Sequence, residues 1–229
     1  MSLINRTTSE VLQDRLTILF LLRENRRKGN SVQGNSFQRH VKLQKLLYHL
    51  ESRLFNDRIK ALNYTFYKWQ HGPFSKFVYS DVDALEKTDM IIVRDVSEFH
   101  GEFYLTERGL GLIDNLNEII NDYDELNRYT IRVINEFGEY DWYDLKHITY
   151  AYPSPLTRIP IKKLNKGDLI LPKLEISEAT KIITINEAWR DTLGFILEPE
   201  LYEKIISSIK LARSDSEGKS LEELFKDVI

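Results

Sequence analysis

The sequence has no cysteine among its 229 residues. This absence excludes disulfides, thiol nucleophiles and cysteine-ligated zinc, and it is typical of a reducing compartment such as the cytoplasm. A large excess of either charge is also missing, since the formal net charge is -3. Total charge therefore favours neither nucleic acid nor a membrane surface as the partner, and only local patches can indicate one. We expect a cytoplasmic protein.

Long hydrophobic runs are lacking as well. The most apolar stretch, near the start of the chain, is interrupted by Arg15 and Arg23, too soon to cross a bilayer. It is not preceded by the cationic segment, nor followed by the cleavage site, of a signal peptide. We expect no membrane partner. A hydrophobic content of 42% nevertheless provides for a substantial core, so global disorder is excluded.

Motifs that carry chemistry are the third group of features that the sequence lacks. It contains no HExxH motif, no serine nucleophile elbow and no glycine-rich phosphate loop, and its five histidines show no metal-ligand spacing. We therefore predict a protein that is not an enzyme and needs neither cofactor nor metal. The alternative is an enzyme centred on His71, which requires a carboxylate or a second histidine within hydrogen-bond reach.

Apolar periodicity predicts a mainly helical fold of the α+β class. The stretch "KLQKLLYHLESRL" indicates an amphipathic helix, with Lys42, Lys45 and His49 outside its leucine stripe. Gly72 and Pro73 then end an aromatic extended segment, and Ser75 can cap the next helix. Helix, helix, two-stranded hairpin and helix in this order predict a winged-helix-like core over residues 38–117.

Several further elements follow from local patterns. Two short apolar runs, Ile91 to Val93 and Phe103 to Leu105, predict the β-hairpin. Thr106 caps a helix whose apolar pattern continues to Leu126. We place a domain at residues 1–160. A C-terminal extension at residues 161–229 contains a linker, a short strand and two short helices.

DNA binding is the runner-up function for such a fold. The helix after Ser75 would enter the major groove, but it carries Asp81, Asp83, Glu86 and Asp89, which phosphates would repel. A transcriptional regulator would therefore use basic residues elsewhere. The candidate phosphate contacts are Arg26, Arg27, Lys28, Lys42 and Lys45.

Three stretches together resemble the Panacea-domain family, which includes the SocA-like antitoxins and many phage-associated proteins. They are "KLQKLLYHLESRL", "FYKWQHGPFSKFVYSDVDALEKTDMI" and "YLTERG", which cover about residues 40–117. The resemblance implies a non-enzymatic protein that neutralises a toxin partner by direct contact. The tryptophan and histidine before Gly72 differ from the simpler Tyr-Gly-Pro of many relatives.

The candidate partner-binding residues lie in two places. One is the corner after the aromatic segment, with Trp69, His71, Gly72, Pro73, Phe74 and Lys76. The other is the C-terminal tail with Leu221, Leu224 and Phe225. The tail helix has two interpretations of equal weight, either as the last packing helix of the protein or as a segment that docks into a groove of the partner.

Overall fold

The computed structural model describes residues 6–28, 33–34, 40–97 and 100–215 of the chain. Most of these residues are helical, and the strands are short and divided among small sheets, so the mainly helical α+β class is confirmed. The helices are α1 (Thr8–Arg27), α2 (Val41–Asn56), α3 (Lys76–Lys87), α4 (Glu107–Asp114), α5 (Leu116–Ile119), α6 (Tyr123–Phe137), α7 (Trp142–Ala151), α8 (Glu187–Leu197) and α9 (Pro199–Asp215). The strands are β1 (Gln33–Gly34), β2 (Ile59–Lys60), β3 (Phe66–Trp69), β4 (Gly72–Phe74), β5 (Ile91–Ser97), β6 (His100–Leu105), β7 (Leu169–Leu171) and β8 (Lys181–Ile182).

Helix α1 is one of two helices that form the centre of the molecule. It starts with a capping box, in which Thr7 accepts a hydrogen bond from the Glu10 amide and the Glu10 carboxylate accepts one from the Thr7 amide. From Leu12 to Leu22 every side chain is buried, because α3, α4, α6 and α8 pack around the helix. No helix in the described part of the chain is both long and apolar enough to cross a bilayer.

Helix α2 is the second central helix, and its surroundings correct one prediction. The sequence predicts one buried leucine stripe, with Lys42, Lys45 and His49 on another face. All three are buried, because α6, α7, β2 and β4 surround the helix on more than one side. The polar side chains of α2 must therefore find hydrogen-bond partners inside the protein.

The strands form three small sheets. The predicted hairpin is confirmed as β5 and β6, with Ile91 opposite Leu105 and Val93 opposite Phe103, and β1 adds a third strand. Strand β3 pairs with β4 on one side and with β7 on the other, both antiparallel. Strands β2 and β8 form a parallel pair. The winged-helix description of residues 38–117 stays a prediction.

The single helix predicted from Thr106 to Leu126 is wrong beyond its first turns. Thr106 does cap α4, accepting a hydrogen bond from the Gly109 amide. The helical conformation, however, is interrupted after α4 and again after α5. At the second break, Ile120 takes an extended conformation opposite Ile185, and the Asn121 amide donates to the Thr184 carbonyl. Pairing with this later segment takes the place of a continuous helix.

The elements after residue 160 are joined to elements before it. Strand β7 completes the sheet of β3 and β4, β8 pairs with β2, and α8 packs against α1. The division at residue 160 stays a prediction, but the segment predicted as a linker holds β7 and two 3-10 turns at Ile161–Lys163 and Ile176–Glu178.

A buried ion network joins α1 to α3. The Asp81 carboxylate accepts hydrogen bonds from the Arg6 guanidinium at 2.6 and 3.1 Å and from the Tyr64 hydroxyl at 2.9 Å. Arg15 lies 3.4 Å from it, and Arg6 also bonds Asp14 at 2.7 Å. Because these carboxylates are fully buried, each depends on its partners for the solvation that water would otherwise supply.

Neutralising Asp81 tests the weight of this network. We expect Asp81→Asn to lower the free energy of unfolding by roughly 3–5 kcal/mol, because Arg6 and Arg15 keep buried charges without a full counter-charge. The matched control is Asp83→Asn on the same helix, which removes an exposed i,i+4 pair with Lys87 and should change stability far less. Urea denaturation measures both, and equal losses would contradict the assigned role.

Candidate functional site

The stretch "QHGPFS" forms a tight β-hairpin followed directly by a helix. Trp69 pairs with Gly72 and Lys68 with Pro73, so Gln70 and His71 alone make the turn between β3 and β4. Gly72 has φ of +95°, which side-chain-bearing residues rarely adopt. The sequence predicts a break at Gly72 and Pro73, and the structure adds that these two residues belong to the returning strand.

The side chains of Gln44 and Lys45 on α2 form hydrogen bonds with the backbone of this hairpin and of the residue that follows it. The side-chain amide of Gln44 donates to the backbone carbonyl of Ser75 at 2.8 Å and accepts from the backbone N–H of Ser75 at 2.9 Å. The Lys45 ammonium donates to the Pro73 carbonyl at 2.8 Å. These three bonds, which we call the backbone clamp, attach α2 to the hairpin and to the start of α3. One of them joins Lys45 of "KLQK" to the proline of "GP", and the other two join Gln44 to Ser75.

Gly72 has a second reason to lack a side chain. A β-carbon at this position would lie 3.3 Å from the Lys45 Cε and 3.7 Å from its Nζ. The contact at 3.3 Å is tighter than ordinary van der Waals contact, so the Lys45 side chain or the hairpin would have to shift by a few tenths of an ångström. The glycine therefore serves both the conformation of the turn and its approach to the helix.

The structure separates the candidate phosphate contacts into two unlike groups. Lys42 and Lys45 are 3% and 2% exposed, and the Lys42 ammonium donates to the Gly138 carbonyl at 2.8 Å. Neither lysine is placed to contact a DNA backbone. Arg26, Arg27 and Lys28 are exposed at the end of α1, so they are not brought together with the other two.

An aromatic surface covers the outer side of the hairpin. Trp69 is 44% exposed, and its ring centre lies 6.0 Å from that of Phe74. The ring centre of Phe74 in turn lies 5.6 Å from that of the partly exposed Tyr79. The Lys166 ammonium sits 4.1 Å from the centre of the Trp69 ring, within the range of a cation–π contact. Lys76 is exposed at the start of α3. The predicted residues Trp69, Phe74 and Lys76 are thus at or near one surface.

Helix α7 extends this surface with residues that the local sequence pattern did not single out. The Tyr150 hydroxyl donates to the Gln70 carbonyl at 2.9 Å, which fixes the hairpin tip against α7. Tyr143 is 51% exposed, and the Lys146 ammonium lies 4.5 Å from its ring centre. The alternation of aromatic and basic residues in "DWYDLKHITY" was the available signal. We call Trp69, Phe74, Tyr79, Tyr143 and Lys146 the corner surface.

A cavity of about 460 Å³ opens between α2 and the hairpin. Its walls are Val41, Gln44 and Lys45 of α2, residues 69–74 of the hairpin, and Tyr79. Burial, with the nearby charges of Lys68 and Lys146, lowers the pKa of Lys45 to about 7. Burial and the same lysine cluster also lower the pKa of His71 below its usual value. The cavity therefore combines a cationic floor with an aromatic rim.

Two sets of candidate residues have other outcomes. Leu221, Leu224 and Phe225 lie outside the described residues, so both interpretations of the tail stay open. His71 lines the cavity at the hairpin tip. Within the described ranges, no group of three histidine, aspartate or glutamate side chains is arranged to hold a metal ion.

No protein-family model matches this sequence, and a search of curated proteins found no match. The resemblance to the Panacea-domain family rests on the motifs quoted above.

The backbone clamp can be tested with a pair of buried glutamines. Gln44→Leu should lower the free energy of unfolding by roughly 2–4 kcal/mol, because it leaves the Ser75 amide and carbonyl buried without partners. Gln13 of α1 is equally buried, at 3%, but within the described residues its amide has no hydrogen-bond partner. We expect Gln13→Leu to be neutral or stabilising in the same denaturation assay. Similar losses for both variants would exclude a special role for Gln44.

The lowered pKa of Lys45 predicts a pH dependence of stability. An amine of ordinary pKa 10.5 when unfolded and about 7 when folded binds fewer protons in the native state, so its contribution to stability falls as the pH falls from about 10 to 7. The slope is roughly 1 kcal/mol per pH unit. We expect Lys45→Met to remove this slope between pH 7 and 8 and to reduce it between pH 8 and 10, where Lys42 also contributes, as measured by denaturation between pH 7 and 10. In the control Lys42→Met, the slope between pH 7 and 8 should persist, because the pKa of Lys42 is lowered only to about 8.

Proposed function

We propose that this chain is a non-enzymatic protein-binding module and that the corner surface is its contact with a protein partner. The observation that carries the proposal is the exposure of large aromatic rings beside a hairpin whose backbone is hydrogen-bonded to α2 and α7. Trp69 and Tyr143 are 44% and 51% exposed, whereas the hairpin that carries Trp69 is bonded to α2 and α7.

Rigid aromatic groups of this kind suit a binding surface. Tryptophan, tyrosine and arginine provide most binding hot spots, because one ring buries a large area with little loss of conformational entropy. A surface whose backbone is already ordered loses less entropy when the partner binds. The backbone clamp and the Tyr150 bond to Gln70 supply that order here.

The partner that we propose is a cognate toxin, neutralised by direct contact in a toxin–antitoxin pair. This step rests on the resemblance of the α2, hairpin and α4 motifs to the Panacea-domain family. The half-buried Lys146 of the corner surface and the exposed Lys166 beside Trp69 favour a partner whose contact surface is acidic or neutral.

The regulator hypothesis keeps fewer of its contacts. Lys42 and Lys45 donate to backbone carbonyls inside the protein, which leaves the cluster Arg26, Arg27 and Lys28 at the end of α1. On α3, the residues that would face a major groove include the exposed Asp83 and Glu86. We therefore retain protein binding as the proposal.

Co-expression with the product of the adjacent gene tests the proposed function. We expect a stable complex and rescue of growth when that gene product is toxic. Trp69→Ala should weaken the purified complex about 30-fold or more, the loss typical of a hot spot of 2 kcal/mol or above. The control Phe195→Ala removes a similarly exposed ring on α8, and its affinity should match that of the unaltered protein.

Two results would count against the proposal. One is the absence of both complex and rescue with the unaltered chain. The other is a complex that Trp69→Ala and Tyr143→Ala leave as tight as the control does. Thermal melting of each variant shows whether a loss of affinity reflects the surface or the fold. Because Trp69 and Tyr143 are largely exposed, their removal should leave the melting temperature nearly unchanged.

A further inference from the structure

Basic side chains from four parts of the fold lie in or near the cavity of about 460 Å³ between α2 and the hairpin, which we call the corner cavity. Lys45 comes from α2, Lys68 from β3, His71 from the hairpin tip and Lys146 from α7. The charges of Lys68 and Lys146 act on Lys45, and all three lysines act on His71, so the four groups share one electrostatic environment. Like charges in a partly buried site repel one another, and an anion bound there would offset that repulsion.

Lys45 is the member that faces both the protein and the cavity. It is 2% exposed and lines the cavity wall, while its ammonium donates to the Pro73 carbonyl at 2.8 Å. An ammonium has three N–H donors, and this bond occupies one of them. Gln70, His71, Trp69 and Tyr79 line the same space. A volume of about 460 Å³ is within the range of small-ligand pockets.

We infer that the corner cavity is an oxyanion-binding site, in which Lys45 and His71 bind a carboxylate or phosphate group and Lys68 and Lys146 supply additional positive potential. The aromatic rim at Trp69 and Tyr79 would contact the rest of the ligand. The same oxyanion chemistry is carried by a small free anion and by an acidic side chain of a protein partner. Binding of a partner's acidic side chain rests on the proposed function, whereas binding of a small free anion does not.

Calorimetric titration of the purified full-length chain tests the site directly. The probes are inorganic phosphate, for a free anion, and N-acetylglutamate N-methylamide, for the side chain of a partner, with sodium chloride at equal ionic strength as the reference. We expect one saturable site for at least one probe. Lys45→Met should weaken it at least tenfold, and Lys42→Met, the neighbouring buried lysine outside the cavity wall, should leave it unchanged.

A second pair of variants does not alter the buried helix. Lys146→Gln removes one of the surrounding charges and should weaken binding several-fold, while Lys204→Gln removes an exposed lysine of α9 and should have no effect. This pair decides the matter if Lys45→Met does not fold. Binding that is equally strong in Lys146→Gln and in Lys204→Gln would place the anion elsewhere and overturn the inference.

Proton uptake gives a readout that a nonspecific surface site would not show. The groups near Lys45 are Lys68, Lys146, Tyr150 and His71 on the surrounding elements, with Lys42 and His49 on its own helix. With a pKa of about 7, Lys45 is largely neutral at pH 8 and largely charged at pH 6. An anion that holds it charged should therefore bring in about 0.9 proton at pH 8 and about 0.1 at pH 6 from this group.

Titrations in two buffers of different ionisation enthalpy measure that uptake. Its disappearance at pH 8 in Lys45→Met supports the site, and uptake unchanged by this variant contradicts it. Saturation by phosphate alone assigns a free anion as the ligand, and saturation by the glutamate derivative alone assigns an acidic side chain. If neither probe binds more tightly than chloride, the inference is wrong. Complex formation with the adjacent gene product is measured separately, and its result tests the proposed function and not the oxyanion site.

Discussion

The burial of helix α2 together with its polar side chains is the constraint on which the rest of the structure depends. A buried ammonium or amide needs a partner, because the loss of water is otherwise uncompensated. Lys42, Gln44 and Lys45 find theirs in backbone groups of Gly138, Ser75 and Pro73. Each bond attaches a different segment to the helix. The turn before α7 and the start of α3 are consequently positioned by side chains of α2, rather than by apolar packing alone.

This arrangement also explains how one corner can be both ordered and chemically distinct. Lys45 holds the hairpin from inside together with the neutral side chains of Gln44 and Tyr150, and it places a basic group at the cavity. The side chains outside include the aromatic rings of Trp69, Phe74 and Tyr79. The proposed partner contact and the inferred oxyanion site are two faces of the same hairpin.

Local patterns in the sequence predicted much of the fold and only part of the site. The capping residue Thr106 and the β5–β6 hairpin could be predicted because their causes lie within a few residues. The burial of Lys45 could not, since it results from β4 and α7 packing against a face that its own helix marks as polar. Tyr143 was missed for the same reason, because only the docking of α7, through the Tyr150 bond to Gln70, brings its helix to the hairpin.

The pairing of β3 with β7 has a consequence for the order in which the protein folds. Strands β3 and β4 are adjacent in the chain, but their sheet is complete only when residues 169–171 arrive, about one hundred residues later. During synthesis, the hairpin therefore exposes an unpaired strand edge for as long as the intervening helices are being made. Helix α2 precedes the hairpin and can hold its backbone in that interval. Helix α2 and the β3–β4 hairpin can therefore associate first, and β7 pairs with the free edge of β3 last.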